Sequence, residues 1–236
     1  MITRTLDYQD GDTALEAYIA YAETDAQKPL VLVAHDWTGR REFACRAAEY
    51  VASLGYIGFA LDMYGKGIFG ADGDTEGNSA LMAPYATDRA LLRQRIRAAL
   101  TAGRNIALAD ATKVAAIGYC FGGMCVLELA RGGADVAGVA CIHGILAPGE
   151  IANEQLKAKV LCLQGFDDPM APPEQIQAFQ QEMTDASADW QVHVYGGTRH
   201  AFTNPVANDE ELGTVFKEVA KDRAYRTLEN FLQELF

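Results

Sequence analysis

Short, wholly apolar runs alternate with amphipathic ones along this chain, and that alternation fixes the fold class. Leu30–Ala34 reads LVLVA, with no polar face at all. A strand of this kind is covered on both sides. Glu42–Leu54 follows with Phe43, Ala47, Tyr50, Val51 and Leu54 at helical spacing, and Gly55 stops it. Tyr56–Leu61, Lys113–Tyr119, Val136–Ile142, Val160–Gln164 and Gln191–Tyr195 read as further strands. Asp88–Ala109, Phe121–Arg131, Pro173–Met183 and Gly213–Leu235 read as helices. Ahead of them, Ile2–Tyr8 and Ala14–Tyr21 flank Asp10-Gly11-Asp12, a hairpin signal. Strand–helix alternation predicts an α/β fold, a mostly parallel central sheet with helices on both faces. No repeat, Ser/Pro-rich linker or low-complexity tract divides the chain, so residues 1–236 are expected to form a single domain.

Two segments carry further expectations. Asp62 to about Pro84 is irregular and glycine-rich, and so long an excursion often covers a site. Arg89, Arg93, Arg95 and Arg97 in the Asp88–Ala109 helix are expected to form a solvated face.

Composition excludes several classes of function. Twenty Lys and Arg against 32 Asp and Glu leave a formal charge of −12. A nucleic-acid binder needs a positive footprint for phosphates, and a polybasic membrane-surface protein needs one too. No apolar run approaches the roughly 20 residues of a membrane span. The opening MITRTLDYQD lacks the apolar core of a signal peptide, so a cytoplasmic protein is expected. Five cysteines, an odd number without a Cys-x-x-Cys pair, argue against a disulfide framework and against zinc. No metal or cofactor is expected. Cys45, Cys125, Cys141 and Cys162 read as small buried hydrophobes.

Cys120 is different. Lys113–Gly123 reads KVAAIGYCFGG, a strand running into Gly118-Tyr119-Cys120-Phe121-Gly122. This is the G-x-S-x-G nucleophile elbow with cysteine in place of serine, the signature turn of α/β-hydrolases. Glycines two residues before and after leave room for the neighbouring strand and helix. The helix begins at once, so its N-terminal amides and dipole point at the sulfur and favour thiolate. The Phe121 amide is a candidate donor to the oxyanion of a tetrahedral intermediate. Trp37, in the loop after LVLVA, is the candidate for the second amide.

In this architecture the acid and then the histidine follow the nucleophile. VLCLQGFDDP places Asp167 and Asp168 after a strand, and Asp168, three residues beyond Gly165 and before Pro169, is favoured as the acid. Of four histidines only His193 and His200 lie beyond it. His193 alternates inside WQVHVY and is expected to face a helix-packing layer. His200 follows that strand in a loop, which suits a base. His35 and His143 also follow strands and could line the crevice.

With these residues in hand, the chain resembles the dienelactone hydrolase family of α/β-hydrolases over nearly its full length. The resemblance rests on His35-Asp36-Trp37-Thr38-Gly39, Asp62-Met63-Tyr64-Gly65, Gly118-Tyr119-Cys120-Phe121-Gly122-Gly123, Asp168-Pro169 and Gly197-Thr198-Arg199-His200-Ala201-Phe202. It implies a Cys120–Asp168–His200 triad hydrolysing enol-lactones and related small esters. It also implies that Asp36 stands where a glutamate holds the resting thiol, and that Lys66 and Asn204 stand near two arginines that hold a substrate carboxylate. Lys66 keeps a charge without bidentate geometry, and Asn204 has none. The expected partner is a small ester or lactone, with no nucleic acid or membrane, acted on by a monomer or homodimer. The alternatives are a thioesterase or peptide hydrolase on the same triad, or a non-catalytic binding module.

Overall fold

The computed structural model describes residues 1–236. Eight strands form one sheet: β1 (Ile2–Asp10), β2 (Thr13–Tyr21), β3 (Lys28–Ala34), β4 (Ile57–Ala60), β5 (Ala109–Tyr119), β6 (Gly138–Ile142), β7 (Lys159–Gly165) and β8 (Trp190–Tyr195). Their spatial order is β1-β2-β4-β3-β5-β6-β7-β8. The β1–β2 hairpin joins the sheet antiparallel to β4, and every pairing from β4 through β8 is parallel. This is the α/β-hydrolase arrangement.

The apolar run in β3 shows why such strands carry no polar face. Leu30 and Leu32 belong to the core beneath α3 (Arg89–Arg104), α4 (Phe121–Arg131) and α5 (Pro173–Asp185). Val31 and Val33, pointing the other way, belong to the core beneath α1 (Glu42–Ser53) and α6 (Glu218–Leu235). Alternate side chains thus enter two separate cores.

Three expectations need correction. The irregular stretch from Asp62 contains a helix, α2 (Thr75–Thr87). Only Asn78 and Tyr85 of α2 are buried, so it has no apolar stripe to announce it. Local bonds hold it: Asp74 accepts from Gly77 N–H at its start, and Asn78 exchanges two hydrogen bonds with the Ala71 backbone. The closing helix begins at Glu218 rather than Gly213, because the preceding residues form a small hairpin of β9 (Asn208–Asp209) and β10 (Thr214–Val215).

The third correction concerns the arginines. Arg89, Arg93 and Arg95 are buried rather than solvated. α3 lies between α4 and the β1–β2 hairpin, and each partner offers it a carboxylate. Arg95 Nε donates to Asp10 at 2.7 Å and its Nη1 to the Met63 carbonyl at 2.9 Å. Arg93 Nε donates to Glu128 at 2.9 Å, and Arg131 donates to the other oxygen of Glu128 and to both oxygens of Glu182. All eleven residues of α4 are buried, so Glu128 and Arg131 anchor the far end of the helix whose near end starts at Cys120.

Removing one member of a buried ion network leaves uncompensated charge at a cost of about 3–5 kcal/mol. Glu128→Ala is therefore expected to lower unfolding free energy by about that much, and Glu128→Gln by less, as read from urea denaturation. Equal stability of Glu128→Ala and the parent would refute this account.

Candidate active site

Backbone strain locates the site before any chemistry is considered. Four non-glycine residues have left-handed φ, and three of them, Cys120 (55°), His143 (39°) and Ala201 (55°), line one cavity. Such conformations cost about 1–3 kcal/mol each and persist where packing over-determines them. The cavity encloses about 460 Å³ at the carboxyl ends of the strands.

The elbow is built by close approach. A Cβ on Gly122 would sit 2.2 Å from the Ala34 carbonyl oxygen of β3, and one on Gly118 would sit 2.0 Å from the Gly122 carbonyl oxygen. Neither position admits a larger residue without moving a strand or a helix. Cys120 occupies the N-cap of α4 with ψ −116° and is 8% exposed at the cavity wall. Its neighbour Phe121 opens the helix, where an N–H has no intrahelical acceptor. The Trp37 N–H in the β3–α1 loop has no backbone acceptor either.

His200 and Asp168 meet from two loops. His200 Nδ1 bonds Asp168 Oδ2 at 2.8 Å, and Met170 N–H donates to Asp168 Oδ1 at 2.8 Å. Both carboxylate oxygens are thus occupied, and both side chains are fully buried. Asp167 is exposed, and so is His193, which lies on the outer strand β8 instead of facing a helix layer. His200 Nε2 has no hydrogen-bond partner. With Nδ1 turned to Asp168, Nε2 is the ring nitrogen left on the Cys120 side. Burial opposes a charge on His200, but the Cys120 sulfur and the Asp168 carboxylate outweigh it and raise its pKa to about 10.

A family model for the dienelactone hydrolase family matches residues 15–236. The chain belongs to the dienelactone hydrolase family. Over its whole length it is 34% identical to a dienelactone hydrolase-like promiscuous phosphotriesterase from metagenomic libraries, covering 98% of that chain with a TM-score of 0.94. A Yersinia pestis protein bearing the provisional name carboxymethylenebutenolidase is 27% identical over 236 residues, 93% of this chain and 84% of its own. An uncharacterized Caenorhabditis elegans protein is 32% identical over 149 residues, 61% of this chain and 94% of its own. The protein is accordingly an ester or lactone hydrolase of the dienelactone hydrolase type.

The other site expectations fare unevenly in this member of the dienelactone hydrolase family. Asp36 lines the cavity, but Thr38 donates to its Oδ1 through both backbone N–H (2.8 Å) and hydroxyl (2.6 Å), and no hydrogen bond joins it to Cys120. Asn204 also lines the cavity, with Oδ1 accepting from Val206 N–H at 3.2 Å. Lys66 does not line it. Its ammonium is held by both oxygens of Asp7, at 2.8 and 2.6 Å, with Glu16 beyond, so the expected substrate contact is not made. The mismatch arises because Lys66 sits at the β1–β2 hairpin, where its backbone N–H bonds Ala14.

The two remaining histidines separate cleanly. His35 is wholly buried as a packing residue, with Nδ1 donating to the Asp36 carbonyl at 2.6 Å and Nε2 accepting from Met63 N–H at 3.1 Å. His143 lines the cavity, pairs Nε2 with the Thr203 hydroxyl at 2.8 Å and meets the His200 ring edge-on at 5.2 Å. Burial, and then the positive field of His200, push its pKa well below the usual histidine value, so it is neutral. Its position after β6 was the sole sequence signal for it.

The raised pKa of His200 has a consequence for stability. A group whose folded pKa exceeds its unfolded value near 6.5 stabilises the fold fully below pH 6.5, and that contribution disappears as pH rises through about 10. The urea midpoint is expected to fall across that window in the parent. In His200→Gln that part of the slope is expected to vanish. Superimposable pH profiles for the two proteins would contradict the assignment.

Proposed function

We propose that this member of the dienelactone hydrolase family cleaves small esters or lactones with Cys120 as nucleophile, His200 as proton carrier and Asp168 as its orienting carboxylate. The observation that carries the reading is the 2.8 Å Asp168–His200 bond, buried beside Cys120 in one strained cavity. In the reacting enzyme Cys120 works as a thiolate and His200 as an imidazolium. The thiolate attacks the substrate carbonyl, and the Trp37 and Phe121 amides receive the oxyanion. Collapse breaks the carbon–oxygen bond, and the departing alkoxide takes the proton of His200. His200, now neutral, removes a proton from water. The hydroxide attacks the acyl-thioester, and the carboxylic acid and the thiolate–imidazolium pair are regenerated. Asp168 keeps Nδ1 protonated and stabilises the cation at both ends of the cycle.

No metal or cofactor takes part in this scheme. Cytoplasmic residence, from five unpaired thiols, and a monomer or homodimer belong to the same proposal. No helix is long and apolar enough to cross a membrane.

A panel of 4-nitrophenyl esters, lactones and a thioester tests the reading, with a phosphotriester included because the 34% identical relative is named for that activity. Cys120→Ala is expected to reduce turnover to background. Asp168→Asn is expected to lower kcat by about 10³–10⁴-fold, the scale of a wrong imidazole tautomer. Intact-mass spectrometry of the parent with an activated ester is expected to show one acyl adduct on Cys120. Undiminished hydrolysis by Cys120→Ala would overturn the proposal.

A further inference from the structure

We propose that the catalytic cavity selects uncharged acyl groups and rejects carboxylate-bearing substrates, through walls free of lysine and arginine and the two aspartates there, Asp36 and Asp209, that have no cationic partner. This rests on the reading of Cys120 as nucleophile and names the substrate class of that same site.

The walls contain no lysine or arginine. Trp37, Phe43, Met82, Ile145, Met170 and Leu212 supply apolar surface, and Asp36, Asp72 and Asp209 supply the formal negative charge. Each aspartate already has one oxygen engaged: Asp36 with Thr38, Asp72 with Arg41 at 2.7 Å, Asp209 with Leu212 N–H at 2.8 Å. Asp36 and Asp209 have no cationic partner, whereas the charge of Asp72 is paired with Arg41. Arg41, held by Asp72, lies with Arg46 and Lys221 in the adjoining groove, which meets the cavity at Asp36, Asp72 and Asn204. Lys66 is committed to Asp7 outside the cavity. His200 is the cation inside, and its charge is matched by Asp168 and turned toward Cys120.

A carboxylate entering such a cavity loses its hydration and gains no cationic partner. An uncharged ester of the same shape loses little and gains apolar contact. Asp36 is half-buried, so its field is felt within, while Asp209 is exposed and acts at the entrance, screened by salt. The discrimination therefore comes chiefly from inside the cavity.

The experiment compares 4-nitrophenyl hexanoate with mono-4-nitrophenyl adipate at pH 7, each kcat/KM divided by the ester's own hydroxide rate. The hexanoate is expected to lead by tenfold or more. Asn204→Arg, which brings a guanidinium to the wall, is expected to cut that ratio at least threefold in protein with a parent-like circular dichroism spectrum. A parent ratio near one or inverted, or a ratio unmoved by folded Asn204→Arg, would overturn the proposal. A binding measurement on the parent needs neither turnover nor a variant. By calorimetry, 4-phenylbutyramide is expected to bind at least tenfold more tightly than 4-phenylbutyrate, and the reverse order would also overturn the proposal. Failure of the underlying reading has a different signature: equal hydrolysis of both esters by the parent and Cys120→Ala.

Discussion

The site depends on a near-contact between three backbones. β3, β5 and the start of α4 approach so closely that Gly118 and Gly122 have no room for a Cβ. That approach forces the turn at Cys120 into a left-handed conformation and holds it there. An isolated turn would relax, since strain of this kind is worth a few kcal/mol at most. Here α4 cannot retreat, because every one of its residues is buried and its far end is tied through Glu128 and Arg131 to α3 and α5. The ion network and the sulfur stand at opposite ends of one rigid element. Packing of α4 thus sets the geometry of the thiol.

The histidine side of the site obeys the same logic with different parts. Gly165 ends β7, and a Cβ there would lie 2.3 Å from the Thr198 carbonyl oxygen, so the loop bearing His200 settles directly against the strand that leads to Asp168. Two fully buried imidazoles then sit 5.2 Å apart and carry opposite protonation behaviour. His200 has a carboxylate on Nδ1 and a sulfur nearby, and becomes a strong base. His143 has a hydroxyl on Nε2 and a neighbouring positive charge, and stays neutral. Burial is common to both, so the partner decides the charge. A neutral His143 also spares His200 the repulsion of a second cation.

Sequence reading succeeded where the signal is local and compulsory. An apolar run such as LVLVA can serve only as a strand covered twice, and the glycines around Cys120 mark the sharp turn between β5 and α4. Asp168 was separated from Asp167 by its spacing from Gly165 and by Pro169, both features of the turn that buries it. Reading failed where the deciding partner is distant. Nothing near Arg93 or Arg95 in the chain announces Glu128 or Asp10, so a helix with evenly spread arginines looked solvated. The family resemblance places Lys66 at a substrate contact, while Asp7, 59 residues earlier, captures its ammonium. His193 alternates like an inward residue, but β8 is the last strand of the sheet and His193 is exposed there. Helix α2 escaped because capping and Asn78 replace an apolar stripe.

The acidic character of the chain acquires a specific meaning inside the cavity. A surface charge of −12 is screened within a Debye length and says little about chemistry. Charge lining a half-enclosed apolar cavity is screened far less. On the proposed mechanism the nucleophile works as an anion and needs one cation close to it, and that cation is His200, which would also surrender and recover a proton. A guanidinium fixed in the same wall would hold the sulfur's charge without being able to give up a proton. It would stabilise the thiolate and compete with His200 for it. Walls free of lysine and arginine leave His200 as the cation beside the Cys120 sulfur, the one that the proposed reaction can use.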